Sequence, residues 1–195
     1  MFLRRHPSAA EIEMFRSRCS DSRLSYRPVG MTANPPRGFH LDQASIVLGH
    51  GASILERARS GLEAWRHFDL AWLEIFPKGA PLEPGTDVVV LARHFGFWSL
   101  NACRVVYRFG SATGSQLGYA YGTLREHAAT GEEVFKVSMD DASGEVLYEI
   151  RAVSRPRAAL AWIGYPLTRA LQARFRRDST AAMRRWIEKE RSAHE

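Results

Sequence analysis

The residues most able to do chemistry lie in segments that otherwise resemble buried strands. Val88–Phe109 is rich in aromatic and branched apolar residues, yet it also contains basic and amide side chains. Polar groups in such surroundings need hydrogen-bond partners or face a ligand, because burying an unpaired polar group is unfavourable. The segment supplies four candidate ligand-binding residues, which are Arg93, His94, Asn101 and Arg104.

Three tyrosines and a glutamate on later segments form a second group of candidates. Tyr119 and Tyr121 share one face of a predicted strand, while Glu133 and Tyr148 lie in the two strands that follow. A carboxyl group in such company has a raised pKa unless a cation or hydrogen-bond donors compensate. We predict that these four residues are polar anchors in an apolar pocket. The simpler alternative is a structural hydrogen-bond network between strands.

Signatures of other chemistry are weak. His127 precedes Glu132 and Glu133, and an imidazole with two carboxylates can bind a metal. Consecutive strand residues point to opposite faces, however, so the two glutamates cannot readily share one ion. No serine or cysteine has a placed base or an oxyanion hole. We therefore predict no metal and no cofactor, and an enzyme that uses Glu133 or His94 as acid or base is an alternative to simple binding.

Composition predicts one globular domain over the 195 residues, since 45% are apolar and 25% are charged. We expect an arm or short helix over residues 1–23, the main body over 24–183 and a helix end with a tail over 184–195. Both cysteines fit a reducing compartment, the N-terminus does not resemble a secretory signal, and the uncharged run Ala158–Thr168 is about half the length of a bilayer crossing. These features favour a cytoplasmic protein without a transmembrane segment.

The basic excess is confined to the C-terminal quarter of the chain. Residues 151–195 contain 11 basic and 4 acidic residues, whereas the first 150 contain 16 and 17. A solvated helix face is the simplest interpretation of this excess. A surface for polyanions or for an anionic membrane is the alternative, in which peripheral membrane contact is open and nucleic-acid binding is the less favoured case.

Periodicity predicts the elements that must position these residues. Weak helical character over Glu11–Arg18 gives way to a loop over Tyr26–Gly38 and a strand over Phe39–Leu48, and an amphipathic helix over Ala52–His67 follows. A short strand over Ala71–Phe76 precedes five more strands and a final helix over Ala159–Arg191, which Pro166 should kink or restart. The five strands are Val88–Phe95, Ser99–Phe109, Leu117–Leu124, Glu132–Met139 and Glu145–Ser154.

Short separators between these strands favour antiparallel hairpins over parallel crossovers. A curved antiparallel sheet must cover its apolar face, and the long final helix is suited to do so. The predicted fold is therefore α+β, a helix-grip arrangement in which the sheet curves around the C-terminal helix and leaves a cavity. A hot-dog-like sheet around a central helix is the runner-up, but its helix comes early and no long terminal helix is expected.

Several long motifs resemble a known family. They are ARHFGFWSLNACRVVY at Ala92–Tyr107, GYAYGT at Gly118–Thr123, GEEVF at Gly131–Phe135, VLYEIRAVSRP at Val146–Pro156 and GYPLTRALQARFRRDSTAAM at Gly164–Met183. The chain is similar to the DUF1990 family, a domain of unknown function, over about Leu24 to Met183. The resemblance implies a fold like that of START and Bet v 1 helix-grip proteins and implies no particular activity.

These observations favour a protein that binds a small or medium apolar molecule, such as a lipid, between the sheet and the final helix. An acid/base enzyme of the cyclase or hydrolase kind and a polyanion binder remain the alternatives. The sequence does not indicate an oligomeric state.

Overall fold

The computed structural model describes residues 2–111, 113–156 and 165–192. Every strand and helix expected from periodicity has a counterpart there, and the two-residue strand β1 is an addition. The elements are β1 (Phe2–Leu3), α1 (Ala9–Arg18), β2 (His40–His50), α2 (Ala52–Glu63), a 3₁₀ helix (Arg66–Phe68), β3 (Leu73–Phe76), β4 (Asp87–His94), β5 (Phe97–Gly110), β6 (Gln116–Thr123), β7 (Ala129–Met139), β8 (Glu145–Pro156) and α3 (Tyr165–Ser192).

One antiparallel sheet contains all of these strands, in the order β2-β8-β7-β6-β5-β4-β3. β4 to β8 form the predicted meander, because their short connections allow only neighbouring strands to pair. β1 pairs with β5 beyond the end of β6, which places Phe2 opposite Ser99. The curled sheet with its C-terminal helix confirms the α+β helix-grip fold and not the hot-dog-like alternative.

Tight turns fix the register of the hairpins. In the β7–β8 turn the Asp140 carboxylate accepts hydrogen bonds from the backbone N–H and the hydroxyl of Ser143, each at 2.8 Å. In the β4–β5 turn Phe95 and Gly96 both have positive φ, at 51° and 77°. Two consecutive positive φ values define the type I′ turn that matches the twist of paired strands.

The two faces of the sheet are covered by different parts of the chain. The concave face packs against α2, the 3₁₀ helix and α3 and contributes Tyr119, Phe135 and Tyr148 to the main core. The convex face is covered by α1, which buries Ile12 and Phe15 against β4 and β5. Side-chain alternation thus assigns each strand residue to one of two separate environments.

Helix α3 closes the concave face at several points. The Tyr148 hydroxyl lies 2.9 Å from the hydroxyl of Ser179, and the indole N–H of Trp186 donates to the carbonyl of Arg57 at 3.0 Å. Gly61 of α2 permits this approach, because a Cβ there would lie 2.6 Å from the Trp186 ring. Pro166 lies in the first turn of α3, and predicted helical residues 159–164 fall outside the described residues. No helix within the described ranges is long and apolar enough to cross a bilayer.

Candidate functional site

A cavity of about 410 Å³ lies between the concave face of the sheet and α3. Four predicted binding residues line it, namely His94, Asn101, Tyr121 and Glu133. Its other walls come from the segment between α2 and β3, the β6–β7 loop, the ends of β7 and β8, and the N-terminal half of α3. The space is therefore enclosed by elements that are distant in sequence.

Aromatic and aliphatic side chains form most of the cavity wall. Phe68 and Phe175 face each other with ring centres 5.2 Å apart, and Val90 and Leu171 extend the apolar surface. Trp72 is fixed from behind, since its indole N–H donates to Asp178 at 2.9 Å and Arg174 lies over its ring. These walls suit the body of an apolar molecule.

Glu133 is the central polar group of the cavity. It lies on β7 directly opposite Tyr121 of β6, whose hydroxyl donates to its Oε2 at 2.6 Å. Burial raises the pKa of Glu133 to about 7, even though the Tyr121 hydrogen bond and the positive charge of Arg176 act to lower it. Near neutral pH this carboxyl group can therefore either donate or accept a proton.

Three polar side chains of α3 hold the helix to the sheet and, together with Asp42, form what we call the clamp; two of them, Gln172 and Arg176, also line the cavity. Arg176 binds Asp42 of β2 at 3.0 Å, and Arg169 binds the same carboxylate through both of its terminal nitrogens. Between them Gln172 donates to Ser154 Oγ at 2.8 Å. Asp42 is only 7% exposed, so its charge is neutralised by the helix and not by water. The clamp anchors α3 and holds Arg176 near Glu133.

Sequence reasoning missed this clamp, although a signal for its helical side is present. Arg169, Gln172 and Arg176 are spaced i, i+3 and i+7, so they share one helix face with apolar residues. Asp42 offered no comparable signal, because it interrupts the alternation of its strand. Trp72 was likewise assigned only to a short apolar strand.

A second polar group lies among β4, β5 and the β6–β7 loop. Nε2 of His94 lies 3.1 Å from the hydroxyl of Ser99, and the Asn101 amide donates to the same hydroxyl at 3.1 Å. Burial lowers the pKa of His94 below its ordinary value, which favours the neutral form of the ring. His127 lines the cavity from the loop, where its ring accepts a hydrogen bond from the backbone N–H of Ala129 at 2.9 Å.

Two of the predicted tyrosines lie outside the cavity. Tyr119 places its hydroxyl 2.7 Å from Nε2 of His67, and Tyr148 is bound to Ser179 as described above. Both are fully buried beneath the helices. Their hydroxyls belong to a structural network between sheet and helices, which is the alternative that the sequence left open.

The two predicted arginines do not reach the cavity either. Arg104 lies on the convex side, where it donates to both oxygens of Asp87 at 2.6 and 2.8 Å and to the carbonyls of Ser20 and Ser22. Arg93 lies beside the ring of Trp98. Alternation explains the outcome, because Arg93 is one residue from His94 and Arg104 is three residues from Asn101, so each arginine points to the face opposite the cavity.

Glu132 and Glu133 point to opposite faces, as strand geometry requires. On the convex face Glu132 accepts hydrogen bonds from the hydroxyls of Tyr26 and Tyr107, at 2.7 and 3.1 Å, and from groups of the 30–32 loop. Gly122 leaves the room that the Tyr26 ring occupies. Within the described part of the chain, no three His, Cys, Asp or Glu side chains are grouped so as to hold a metal.

Sheet, gripping helix and intervening cavity define a START-like fold. A START superfamily protein from Mycobacterium smegmatis matches with a TM-score of 0.51 at 12% identity, over 77% of this chain and 98% of that one. A point mutant of norcoclaurine synthase from Thalictrum flavum, solved with a transition-state analogue, matches with a TM-score of 0.52 at 11% identity, over 78% and 96%. At these identities the likeness concerns the fold alone.

The chain belongs to the DUF1990 family, described as a domain of unknown function, whose model matches residues 25–182. A UPF0548 protein from Dictyostelium discoideum is 33% identical over 203 residues, which is 94% of each chain. The family resemblance noted in the sequence is thereby confirmed.

Proposed function

We propose that this protein binds a small or medium apolar molecule in the cavity between the sheet and α3. The observation that carries the proposal is an apolar, aromatic-lined space of about 410 Å³ with a few converging polar groups at one place. Cavities of roughly 300–1,000 Å³ with this composition are typical ligand sites. The fold likeness to START-like proteins agrees with this function.

The polar groups define what the ligand must offer. Glu133 and Tyr121 present a hydrogen-bonding pair to the cavity, and the guanidinium of Arg176 lies in the same wall. A ligand with a single hydroxyl or carbonyl group on an apolar body satisfies both the pair and the aromatic surface. Highly charged molecules do not fit, because the remaining wall cannot solvate them.

Filling the cavity tests this proposal. Ala92 lines it from β4, so Ala92→Trp should occupy the space, whereas Ala142→Trp in the exposed β7–β8 turn adds the same side chain outside it. Native mass spectrometry and organic extraction should find an apolar molecule in the wild-type and Ala142→Trp proteins and lose it in Ala92→Trp. Equal recovery from all three proteins, or a ligand from none, would contradict ligand binding in this cavity.

Acid/base catalysis is a second candidate function, favoured by the pKa of Glu133 near 7 within a substrate-sized cavity. Glu133 would transfer the proton, and Tyr121 would position the carboxyl group. Incubation of the extracted ligand with wild-type protein should then yield a product that Glu133→Gln does not form, although the melting temperature of this variant is not lowered. A ligand that is recovered unaltered in every case would leave binding as the function.

A further inference from the structure

Three phenylalanines are exposed at the end of the sheet where the β4–β5 hairpin lies. Phe2, Phe95 and Phe97 are 62%, 67% and 42% exposed. No other aromatic residue of the described chain is among its strongly exposed large apolar side chains. Isolated apolar residues on a surface are ordinary, but a group of large aromatic ones marks a place of interaction.

The sheet brings these three rings to one place, which we call the aromatic rim. Pairing of β1 with β5 sets Phe2 opposite Ser99, two residues beyond Phe97 and on the same face. The ring of His94 lies 6.0 Å from that of Phe2 and 6.2 Å from that of Phe95. Because Phe2 and His94 also line the cavity, the aromatic rim borders it.

The backbone at Phe95 has a conformation that is unfavourable for a residue of this size. Its φ of 51° is a value that bulky side chains seldom adopt, and the hairpin position is one that asparagine or glycine favours. The side chain is 67% exposed, so packing recovers little of this strain. A strained residue with an exposed side chain is typical of a functional position.

Positive charge flanks the aromatic rim. Arg4 and Arg93 are exposed, and neither forms an ion pair with another described residue. The Arg4 guanidinium lies 6.0 Å from the ring of Phe97. Arg93 lies on the other face of the same hairpin, beside Trp98, which follows Phe97 in the chain. Four arginines of α3 are engaged differently, since Arg169 and Arg176 bind Asp42 and Arg174 and Arg177 bind Asp178. Arg4 and Arg93 are therefore cations without an ion-pair partner among the described residues, close to exposed aromatic rings.

We propose that the aromatic rim docks onto the surface of an anionic phospholipid bilayer. The phenyl rings enter the interfacial layer, while Arg4 and Arg93 contact the lipid phosphates, and the bordering cavity is set against the membrane. Aromatic rings and cations together match the two parts of such an interface, its apolar interior and its negative surface. This inference goes beyond ligand binding and does not depend on what the cavity holds.

Vesicle flotation tests the proposal with matched variants. Wild-type protein should float with vesicles of phosphatidylcholine and phosphatidylserine and stay unbound with phosphatidylcholine alone. Arg4→Glu/Arg93→Glu and Phe95→Asn/Phe97→Ser should each weaken binding by about tenfold or more. The controls Arg184→Glu/Arg185→Glu on α3 and Val47→Ser on the edge strand β2 should bind like wild type.

Phe95→Asn separates docking from folding. It creates the Asn-Gly sequence that this turn prefers, so the melting temperature should hold or rise while vesicle binding falls. An environment-sensitive dye at Phe95→Cys should shift to the blue when anionic vesicles are added, and the same dye at Val47→Cys should not. Three results would overturn the proposal: no vesicle binding, loss of binding only in the α3 variant, or self-association through the rim in place of vesicle binding.

Discussion

At the scale of single residues, consecutive positions of a strand have different roles because their side chains point to opposite faces of the sheet. Glu133 faces a cavity, takes one hydrogen bond from Tyr121 and has its pKa raised to about 7 by burial. Glu132 faces the convex side, where several donors from the 26–32 segment satisfy it. One carboxylate is thus available for a ligand or a proton, and the other is committed to structure.

The raised pKa of Glu133 makes stability depend on pH in a defined direction. The folded protein keeps a proton up to about pH 7 that the unfolded chain loses near 4.5, so the free energy of unfolding falls as pH rises through this window. In Glu133→Gln the free energy of unfolding should fall by up to about 3 kcal/mol less than in wild type over the same pH range. The variant should therefore gain stability relative to wild type between about pH 5 and about pH 8.

Urea unfolding at about pH 5 and at about pH 8 measures this difference in stability between Glu133→Gln and wild type. The exposed residue Glu56 provides the control, and Glu56→Gln should follow the wild-type pH profile. A Glu133→Gln profile parallel to that of wild type would show that Glu133 is ionised normally in the folded protein. Such a result would also remove the argument for acid/base catalysis.

At the scale of elements, α3 is attached to the sheet edge by a buried charge cluster. Asp42 carries the charge that both Arg169 and Arg176 neutralise. Removing one partner of a buried pair leaves uncompensated charge, which typically costs about 3–5 kcal/mol, and partial exposure of Arg169 reduces this here. We expect Asp42→Asn to destabilise the protein by about 2 kcal/mol or more.

Hydrogen exchange locates the effect of Asp42→Asn. Amides in the N-terminal half of α3 should exchange faster, while those of β4 and β5 should be unchanged. Glu149→Gln provides the comparison, because it breaks the more exposed pair with Lys136 on the same sheet. If protection in α3 is the same in both variants, the clamp does not hold the helix.

The helices and strands were largely predictable from the sequence, but the contacts between them were not. Short turns such as Asp141–Gly144 leave a strand only its neighbour to pair with, so the meander follows from local residues. Alternation likewise placed Tyr121 and Glu133 on one face. Periodicity does not indicate at which residue of a strand a helix crosses it. For this reason we expected Tyr119 and Tyr148 in the cavity, whereas the helices cover both residues. The contact of Asp42 with Arg169 joins residues too distant for any local pattern.

At the scale of the whole molecule, the sheet separates a ligand side from a structural side. Residues of the N-terminal segment cover the convex face through Glu132, while the cavity lies on the concave face. Glu132→Ala should leave the buried hydroxyl of Tyr26 and the Thr32 donors without their acceptor and lower stability by about 2–4 kcal/mol. Its ligand content should stay that of wild type.

Limited proteolysis with extraction checks this separation of the two sides. Cleavage within residues 24–38 should accelerate in Glu132→Ala and stay slow in Glu133→Gln. Loss of the ligand from Glu132→Ala at temperatures where the protein is still folded would show that the two faces are coupled.

The consecutive residues Glu132 and Glu133 also favour the correct register of β7 during folding. A slip of β7 by one residue would turn each side chain to the other face. Glu132 would then lose its loop donors, and Glu133 would be buried against the convex segment in place of the cavity. Misaligned pairing of β7 with β6 and β8 is therefore unfavourable at two positions. Glu132 and Glu133, which have different roles in the folded protein, together favour the correct register.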